Sequence, residues 1–565
     1  MPDDSDIITG ANPDRPGPVR PTREVTEEEG DRKQLLDELQ GLVFVSSMDQ
    51  VNEAGVSDVE GVEARTDDIL TTPAFRDVVS EYLGQPVSLL SLKKLNRDVV
   101  SFYANNDYPV VDVVIPEQDI TGGVVHLVVV KGQLGQVRAE GNEYFSDELL
   151  TSKIRTDEGE VLREKSILSN VRWMNRNPFR HTDLVYTRGQ DQGETDVLLR
   201  TRDRFPLRVY TGYEDSGNRQ TGEDRWIAGF NWGNVFGLDH QLNYQFTFND
   251  NTNLFRAHSA SYIIPLPWQH ELSFFGSHAD TRVKEGALGP NTQDLNLEGE
   301  SSQISARYTI PLPEFKAFEG YTHEVALGYD YKTTNNNLEF GGFEVLDNDV
   351  DISQFVATYS ASQPDQWGRT TLTTDFIHSP GGMMSNNEDE NFQAFDDFAD
   401  ADYSYARLEL QRIQKLPKDF SLFGRLTAQW SSDNLLGSEQ LGGGGYRTVR
   451  GYEERVINGD EGYITNLELR SPSISLLKYA GHDTYNDQLQ FLLFWDYASL
   501  AENEVAADQQ KSYTISSVGP GLRYSIPPYL SVRLDYGWQL KDLDINNGVN
   551  RSRDSRVHLG VILSY

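Results

Sequence analysis

Cysteine is absent from all 565 residues. That excludes disulfides, thiolate nucleophiles and cysteine metal sites, and it suits an oxidising compartment where free thiols are a hazard. No run approaches the roughly 18 apolar residues that a membrane-crossing helix needs, and the mean hydropathy is -0.54. The chain is therefore soluble, or it spans as a β-barrel, whose alternating strands hydropathy averaging scarcely registers. Positive charge is also scarce: 50 Lys and Arg against 87 Asp and Glu give a formal charge of -37. Phosphate contacts need basic patches, so this balance argues against a nucleic-acid partner. The opening MPDDSDIITGANPDRPGPVRPTREVTEEEG has no basic n-region and no apolar h-region, and does not read as a secretory signal. Histidines number 10, with no His-Glu-x-x-His spacing, no paired-histidine ligand spacing and no Gly-x-Ser-x-Gly elbow. His181, His270 and His378 read as ordinary polar residues, because lone histidines lack the oriented partners catalysis needs. Neither an enzyme nor a metal or other cofactor is expected.

What the chain does contain leans toward β structure, with aromatics at 11% and 47 glycines. Residues 1–40 form an acidic, proline-punctuated stretch that reads as a disordered or extended leader, with a short charged helix over Arg32 to Gln40. Residues 41–132 read as strand, helix, helix, strand, strand: LVFVSS at 42–47, helical patterns near 71–83 and 88–104, and two strands in VVDVVIPEQDITGGVVHLVVVKG. Residues 133–205 repeat that order, and a βααββ repeat implies stacked domains acting as an array. Their small mixed sheets leave edge strands able to take up an extended peptide.

From 206 to 565 the texture becomes alternation. In YLSVRLDYGWQL, Leu530, Val532, Leu534, Tyr536 and Trp538 share one face, while Ser531, Arg533, Asp535 and Gly537 share the other. Strand starts near 206, 225, 239, 254, 269, 299, 320, 351, 368, 402, 418, 461, 487, 512, 529 and 555 give about sixteen antiparallel strands, an even number suited to a closed barrel. Connections tend to alternate short and long, with long ones at 280–298, 333–350, 379–401 and 432–460. The acidic loop EDENFQAFDDFAD at 388–400 is expected to be external and solvated. The last strand, SRVHLGVILSY, ends on Tyr565 and is expected to close against the first.

Four stretches resemble the two-partner secretion transporters, the TpsB proteins of the BamA/TpsB outer-membrane superfamily. VIPEQDITGGVVHLVVVKGQL is similar to that family's first POTRA domain, EDSGNRQTGEDRWIAGFNWGNVFGLDHQL to its opening barrel hairpin, VRGY at Val449, Arg450, Gly451 and Tyr452 to its loop-six tip, and FLLFWDYASL to the strand that receives the tip. The resemblance implies a membrane β-barrel of sixteen strands in the bacterial outer membrane, preceded by two periplasmic POTRA domains. It implies export of a large unfolded exoprotein without ATP, with that exoprotein, the barrel-assembly machinery and outer-membrane lipid as partners. Tyr565 resembles the terminal aromatic read by the assembly machinery. An assembly or insertion factor of the same superfamily is the alternative function. Residues 1–40 depart from the family by offering no convincing pore-plugging helix.

LGGGGYRTVRGYEER lies at the end of the 432–460 connection, loop six. It is not a phosphate loop, because Tyr446, Arg447 and Thr448 stand where Gly-Lys-Ser/Thr would be required. Gly442, Gly443, Gly444 and Gly445 read as a flexible hinge that lets the tip fold back into the lumen. By parity, Gln490, Leu492, Phe494 and Asp496 face the lumen while Phe491, Leu493, Trp495 and Tyr497 face lipid. An Arg450–Asp496 ion pair follows as an expectation, and the resemblance implies the same contact. At about 4 Å and an effective dielectric near 20 the attraction is about 4 kcal/mol before desolvation, enough to hold a loop.

Overall fold

The computed structural model describes residues 31–65, 69–284, 298–313, 315, 318, 320–336, 345–482, 486–507, 509–543 and 555–565. The chain divides into two units, one ending at Pro206 and one beginning at Leu207.

In the first unit, β1 (Gln34–Leu36), β2 (Gly41–Val45) and β3 (Gly61–Ala64) precede α1 (Pro73–Ser80), β4 (Val87–Ser88), α2 (Leu89–Asn105), β5 (Val111–Val114) and β6 (Val124–Lys131). The main sheet has the order β3-β2-β6-β5, with β2 parallel to both neighbours. Local chemistry starts both helices: Thr72 accepts the Phe75 N–H ahead of Pro73, and Ser88 forms a capping box with Ser91. Phe75, Val79, Leu95 and Val99 of the helices pack on Leu42, Phe44, Val125 and Leu127. The opposite sheet face is covered too, because Val51, Val56 and Val59 lie on Val43, Val45, Val124 and Val128. That is why all of GLVFV is buried rather than alternating.

Two expectations for this region are corrected. The expected charged helix at Arg32–Gln40 contains a strand instead: β1 pairs antiparallel with β4, and Leu36 reaches the core, so pairing and packing override helix propensity. The acidic stretch after β2 contributes β3, which the alternating-strand reading passed over. Residues 1–30 of the expected leader lie outside the described residues.

The second module repeats the order with β7 (Gln133–Glu140), α3 (Asp147–Thr151), α4 (Glu164–Met174), β8 (Arg180–Arg188) and β9 (Glu194–Asp203), in a sheet ordered β7-β9-β8. Leu134, Phe145, Leu150, Ile167, Met174, Val197 and Leu199 form its own core. The N-cap of helix α4 is Arg163, whose side chain provides no capping hydrogen bond. The first module supplies one: the Lys165 N–H donates to Asp107 Oδ1 at 2.7 Å, and the Glu164 N–H to the Asp107 carbonyl at 3.1 Å. Beside it the Arg163 guanidinium lies 4.0 Å from the Tyr108 ring centre.

In the second unit, sixteen described strands close into an antiparallel barrel. They are β10 (Leu207–Glu214), β11 (Arg225–Val235), β12 (His240–Phe248), β13 (Phe255–Pro265), β14 (Glu271–Arg282), β15 (Glu298–Pro311), β16 (Thr322–Asn336), β17 (Val345–Asp365), β18 (Gly368–Pro380), β19 (Asp402–Lys415), β20 (Ser421–Ser431), and, after loop six with its inner pair β21 (Leu441–Gly443) and β22 (Ile457–Gly459), β23 (Glu461–Arg470), β24 (Gln488–Ala501), β25 (Ser512–Ile526), β26 (Leu530–Gln539) and β27 (Ser555–Ser564). Closure is between β27 and β10, from Tyr210 opposite Ser564 to Glu214 opposite Gly560. Phe274, Phe376, Leu493, Trp495 and Trp538 are exposed on the outside, while Phe494, Asp496 and Asp535 are buried within, the polarity a lipid-facing barrel requires. The loop at 388–400 keeps Glu388, Asp389, Glu390 and Asp397 exposed, as expected, and is also folded. It forms helix α5 (Asp389–Gln393) and buries Phe392 and Ala399 with Tyr403, Leu435 and Leu436; its apolar residues find a core that its charge conceals. Parts of the expected loops at 280–298 and 333–350 lie outside the described residues.

Candidate functional site

Loop six, residues 432–460, leaves β20 and returns to β23, and its glycines are ordered rather than hinged. Gly442 and Gly443 sit in β21, paired with Asn458 and Ile457 of β22. Gly444 and Gly445 then turn the chain with φ of 109° and 100°, values that L side chains rarely adopt. A methyl at Gly442 would come within 2.6 Å of the Arg455 guanidinium, which itself donates to the carbonyls of Gly437 and Gln440. The flexible-hinge expectation is thereby corrected: the glycines permit close packing and a fixed turn.

Beyond the turn, Thr448 Oγ1 donates to the Gly444 carbonyl at 2.7 Å, presenting Arg450 to the wall. Its Nε and Nη2 donate to the two oxygens of Asp496 at 2.7 and 2.8 Å. The Arg450 backbone N–H reaches the same carboxylate at 3.1 Å, and Asn466 Nδ2 donates to it at 2.8 Å. The guanidinium carbon lies 3.6 Å from the Phe494 ring centre, so the inward Phe494 and Asp496 hold the cation on two sides. The side chains of Arg450 and Asp496 are 3% and 0% exposed, which makes mutual satisfaction a requirement.

Two carboxylates that parity had not tied to the tip complete the cage. Glu468 of β23 accepts from Arg450 Nη1 at 2.7 Å, and Asp535 of β26 lies 3.6 Å from the same nitrogen. Around them, Arg523 binds Asp535 through two nitrogens at 2.8 and 3.0 Å, Arg533 binds it at 2.8 Å, and Arg470 binds Glu468 at 2.7 Å. The tip thus enters a network of alternating charge, in which each buried ion faces at least one of opposite sign. Asp535 already stood on the inward parity set; nothing in a single strand shows that it and Glu468 converge on loop six.

The rest of the tip is seated by shape. Val449 and Tyr452 are buried with Ile464, Ala498, Leu500 and Ile515, and the Tyr452 hydroxyl shares its one proton between the Ser516 and Lys541 carbonyls, at 3.0 and 2.6 Å. Gly451, at φ 92°, lies against Gly537 of β26, and a methyl on it would meet the Gly537 carbonyl oxygen at 2.9 Å. A second anchor, with no motif to mark it, holds the loop's stem. Glu439 accepts from Lys332 Nζ of β16 at 2.6 Å, Gln354 Nε2 of β17 at 3.2 Å and the Tyr405 hydroxyl of β19 at 2.8 Å. Loop six is therefore fixed to two parts of the wall, β16–β19 at its stem and β23–β26 at its tip. Tyr565 is far from this site in character: 87% exposed, with its backbone paired to Val209. Among the described residues, no cluster of His, Cys, Asp and Glu could hold a metal.

The family model described as haemolysin secretion/activation protein ShlB/FhaC/HecB matches residues 193–524, and the model described as POTRA domain, ShlB-type, matches residues 58–132. Among curated relatives, the heme/hemopexin transporter protein HuxB of Haemophilus influenzae (strain 86-028NP) is 23% identical, over 82% of this chain and 79% of the relative. The outer membrane transporter CdiB of Escherichia coli O6:K15:H31 is 24% identical over 73% of this chain and 68% of its own length. Among solved structures, CdiB from Escherichia coli matches with a TM-score of 0.73 at 19% identity, covering 98% of this chain and 94% of that one, which shows the same fold.

Proposed function

The chain belongs to the haemolysin secretion/activation protein family ShlB/FhaC/HecB, and from that premise we propose that it exports its exoprotein unfolded, without nucleotide, through a pore whose opening loop six controls. It is an outer-membrane transporter of the two-partner secretion type, with its POTRA domains in the periplasm, and its family is one of transporters rather than enzymes. The observation that carries the finer reading is the caged Arg450, which meets Asp496, Glu468 and the Phe494 ring at the end of a loop pinned inside the barrel. Withdrawing Arg450 would leave Asp496 and Glu468 buried without the cation they hold, which is costly, so the loop rests in place until substrate engages. Val449, Arg450, Gly451 and Tyr452 act as the latch, Asp496 and Phe494 as its seat, and Gly442, Gly443, Gly444 and Gly445 as the rigid turn that aims it. Residues 41–132 and 133–205 serve as receptor domains whose edge strands take up extended substrate by backbone pairing. Tyr565 is the residue we assign to reading by the barrel-assembly machinery, and lipid surrounds the apolar wall.

Deleting the gene tests this directly. A large exported protein is expected to accumulate in the periplasm and vanish from the medium and cell surface, while other outer-membrane barrels keep their abundance. A general loss of those barrels, with no single retained cargo, would instead assign the chain to barrel assembly.

A further inference from the structure

The tip touches the barrel at a third place, its closing strand. The Gly451 N–H, the group directly after the Arg450 cage, donates to His558 Nε2 at 3.0 Å. A backbone N–H is only a donor, so Nε2 must be an unprotonated acceptor and the ring carries its proton on Nδ1. His558 is 0% exposed and belongs to β27, which closes the barrel against β10. The neighbouring wall confirms a built contact rather than a passing one. The Tyr446 ring stands edge-on to His558, with centroids 6.2 Å apart, and Gly560 of the same strand leaves room for the Tyr446 hydroxyl where a methyl would collide.

On its far side His558 faces the seam itself. Paired β10 residues end at Glu214, and the next residue, Asp215, clamps the closing strand twice: its N–H donates to the Leu559 carbonyl at 3.1 Å, and its Oδ1 accepts the Leu559 N–H at 2.9 Å. The other oxygen of Asp215 lies 3.7 Å from His558 Nδ1, too long for a hydrogen bond, and among the described residues Nδ1 has no hydrogen-bond partner. One imidazole therefore stands between the tip and the clamp that ends the seam.

We propose that His558 is a positioning residue that couples the loop-six tip to the barrel seam, so that withdrawal of the tip and loosening of the Asp215 clamp favour one another. The coupling is physical and reciprocal. A closing strand that shifts carries the acceptor away from Gly451, and a tip that leaves removes the group that fixes the ring beside Asp215. The contact is additional to the arginine cage, being made by a backbone group to a strand that supplies none of the cage carboxylates. This inference rests on the tip being a releasable latch, as proposed above.

The absence of cysteine makes the test clean. In the full-length protein in liposomes, Val449→Cys carries the sole thiol, and its buried position means that a water-soluble maleimide labels it when the tip withdraws. Arg450→Gln in this background serves as the reference and is expected to raise labelling. His558→Leu should raise it by roughly 5- to 100-fold, the usual consequence of orphaning a buried donor. His558→Gln, whose Oε1 can accept the same N–H, should stay within about 3-fold of the parent. Asp215→Ala should raise labelling when His558 is present and add little once His558→Leu is in place, the non-additivity expected of one connected path. Heat-modifiable migration of each variant establishes that the barrel is folded; if His558→Leu does not fold, Asp215→Ala decides alone, raised labelling supporting the coupling and unchanged labelling overturning it. If Arg450→Gln raises labelling while His558→Leu does not, or if Asp215→Ala and His558→Leu multiply independently, the coupling is wrong and the latch stands. If Arg450→Gln also leaves Val449→Cys unlabelled, the latch reading falls with it.

Discussion

Arg450 shows how much of a functional site a single residue's chemistry can specify. A permanently charged guanidinium that is buried must find carboxylates, and Asp496 was legible as one of them because strand parity turns it inward. Glu468 and Asp535 were not legible, because convergence on loop six depends on strand register and loop path, which no local pattern encodes. Their presence changes the expected result of exchanging charges. Arg450→Asp alone would set a carboxylate beside Glu468 and Asp535, and Asp496→Arg alone would face Arg450; each is expected to abolish secretion, since breaking a buried pair costs roughly 3–5 kcal/mol. The double exchange should restore secretion measurably but well short of the parent, because the transplanted carboxylate stays 18 residues from Glu468 in sequence yet near it in space. No restoration at all, measured as exoprotein in the medium, would count against direct pairing of Arg450 with Asp496.

At the scale of elements, loop six was legible as a long connection between the eleventh and twelfth strands, whereas its rigidity was not. Four consecutive glycines look like freedom. In the fold they are occupied by an inner β pair and by neighbours that leave no room for Cβ atoms. The stem anchor was likewise hidden, since Glu439 meets Lys332 across 107 residues of sequence. Lys332→Met would leave Glu439 buried and uncompensated, and is expected to loosen the stem by about 3 kcal/mol. Faster protease cleavage within 432–445 in the assembled barrel would register this, and unchanged cleavage would mean that Tyr405 and Gln354 hold the stem alone.

The first POTRA module makes its own prediction. His126 of β6 is fully buried, its ring nitrogens have no hydrogen-bond partners among the described residues, and burial, aided by Arg65, pushes its pKa below the usual 6.5. The unfolded state takes up a proton below about 6.5 that the folded state refuses, so stability is full above that pH and falls as pH drops, by at most about 1.4 kcal/mol per pH unit. Hydrogen exchange in the full-length protein at pH 7.5 and 5.5 should show β6 losing protection relative to β9, and His126→Leu should remove the difference. An equal β6-to-β9 ratio at both values in the parent would contradict the assignment.

For the whole molecule, the barrel was legible because alternation and loop length carry over into closed antiparallel pairing, and the two modules because their order repeats. Less legible were features that depend on distant packing: β3 within an acidic stretch, the strand β1 where a helix was expected, and a core beneath the acidic loop at 388–400. No described helix is long and apolar enough to cross a membrane. The account as a whole claims a pore that passes an unfolded chain under no nucleotide and releases its own loop to do so. The most direct measurement places the purified full-length protein in liposomes with its urea-denatured exoprotein on the POTRA side and no nucleotide, and counts exoprotein that becomes protected from added protease. The account predicts protected exoprotein with the parent and far less when a disulfide between Val449→Cys of the tip and Ala498→Cys of the wall that buries it holds the tip in place with Arg450 and Asp496 intact, with recovery on reduction. Equal protection with the tip locked and released, or none without an energy source, would contradict it.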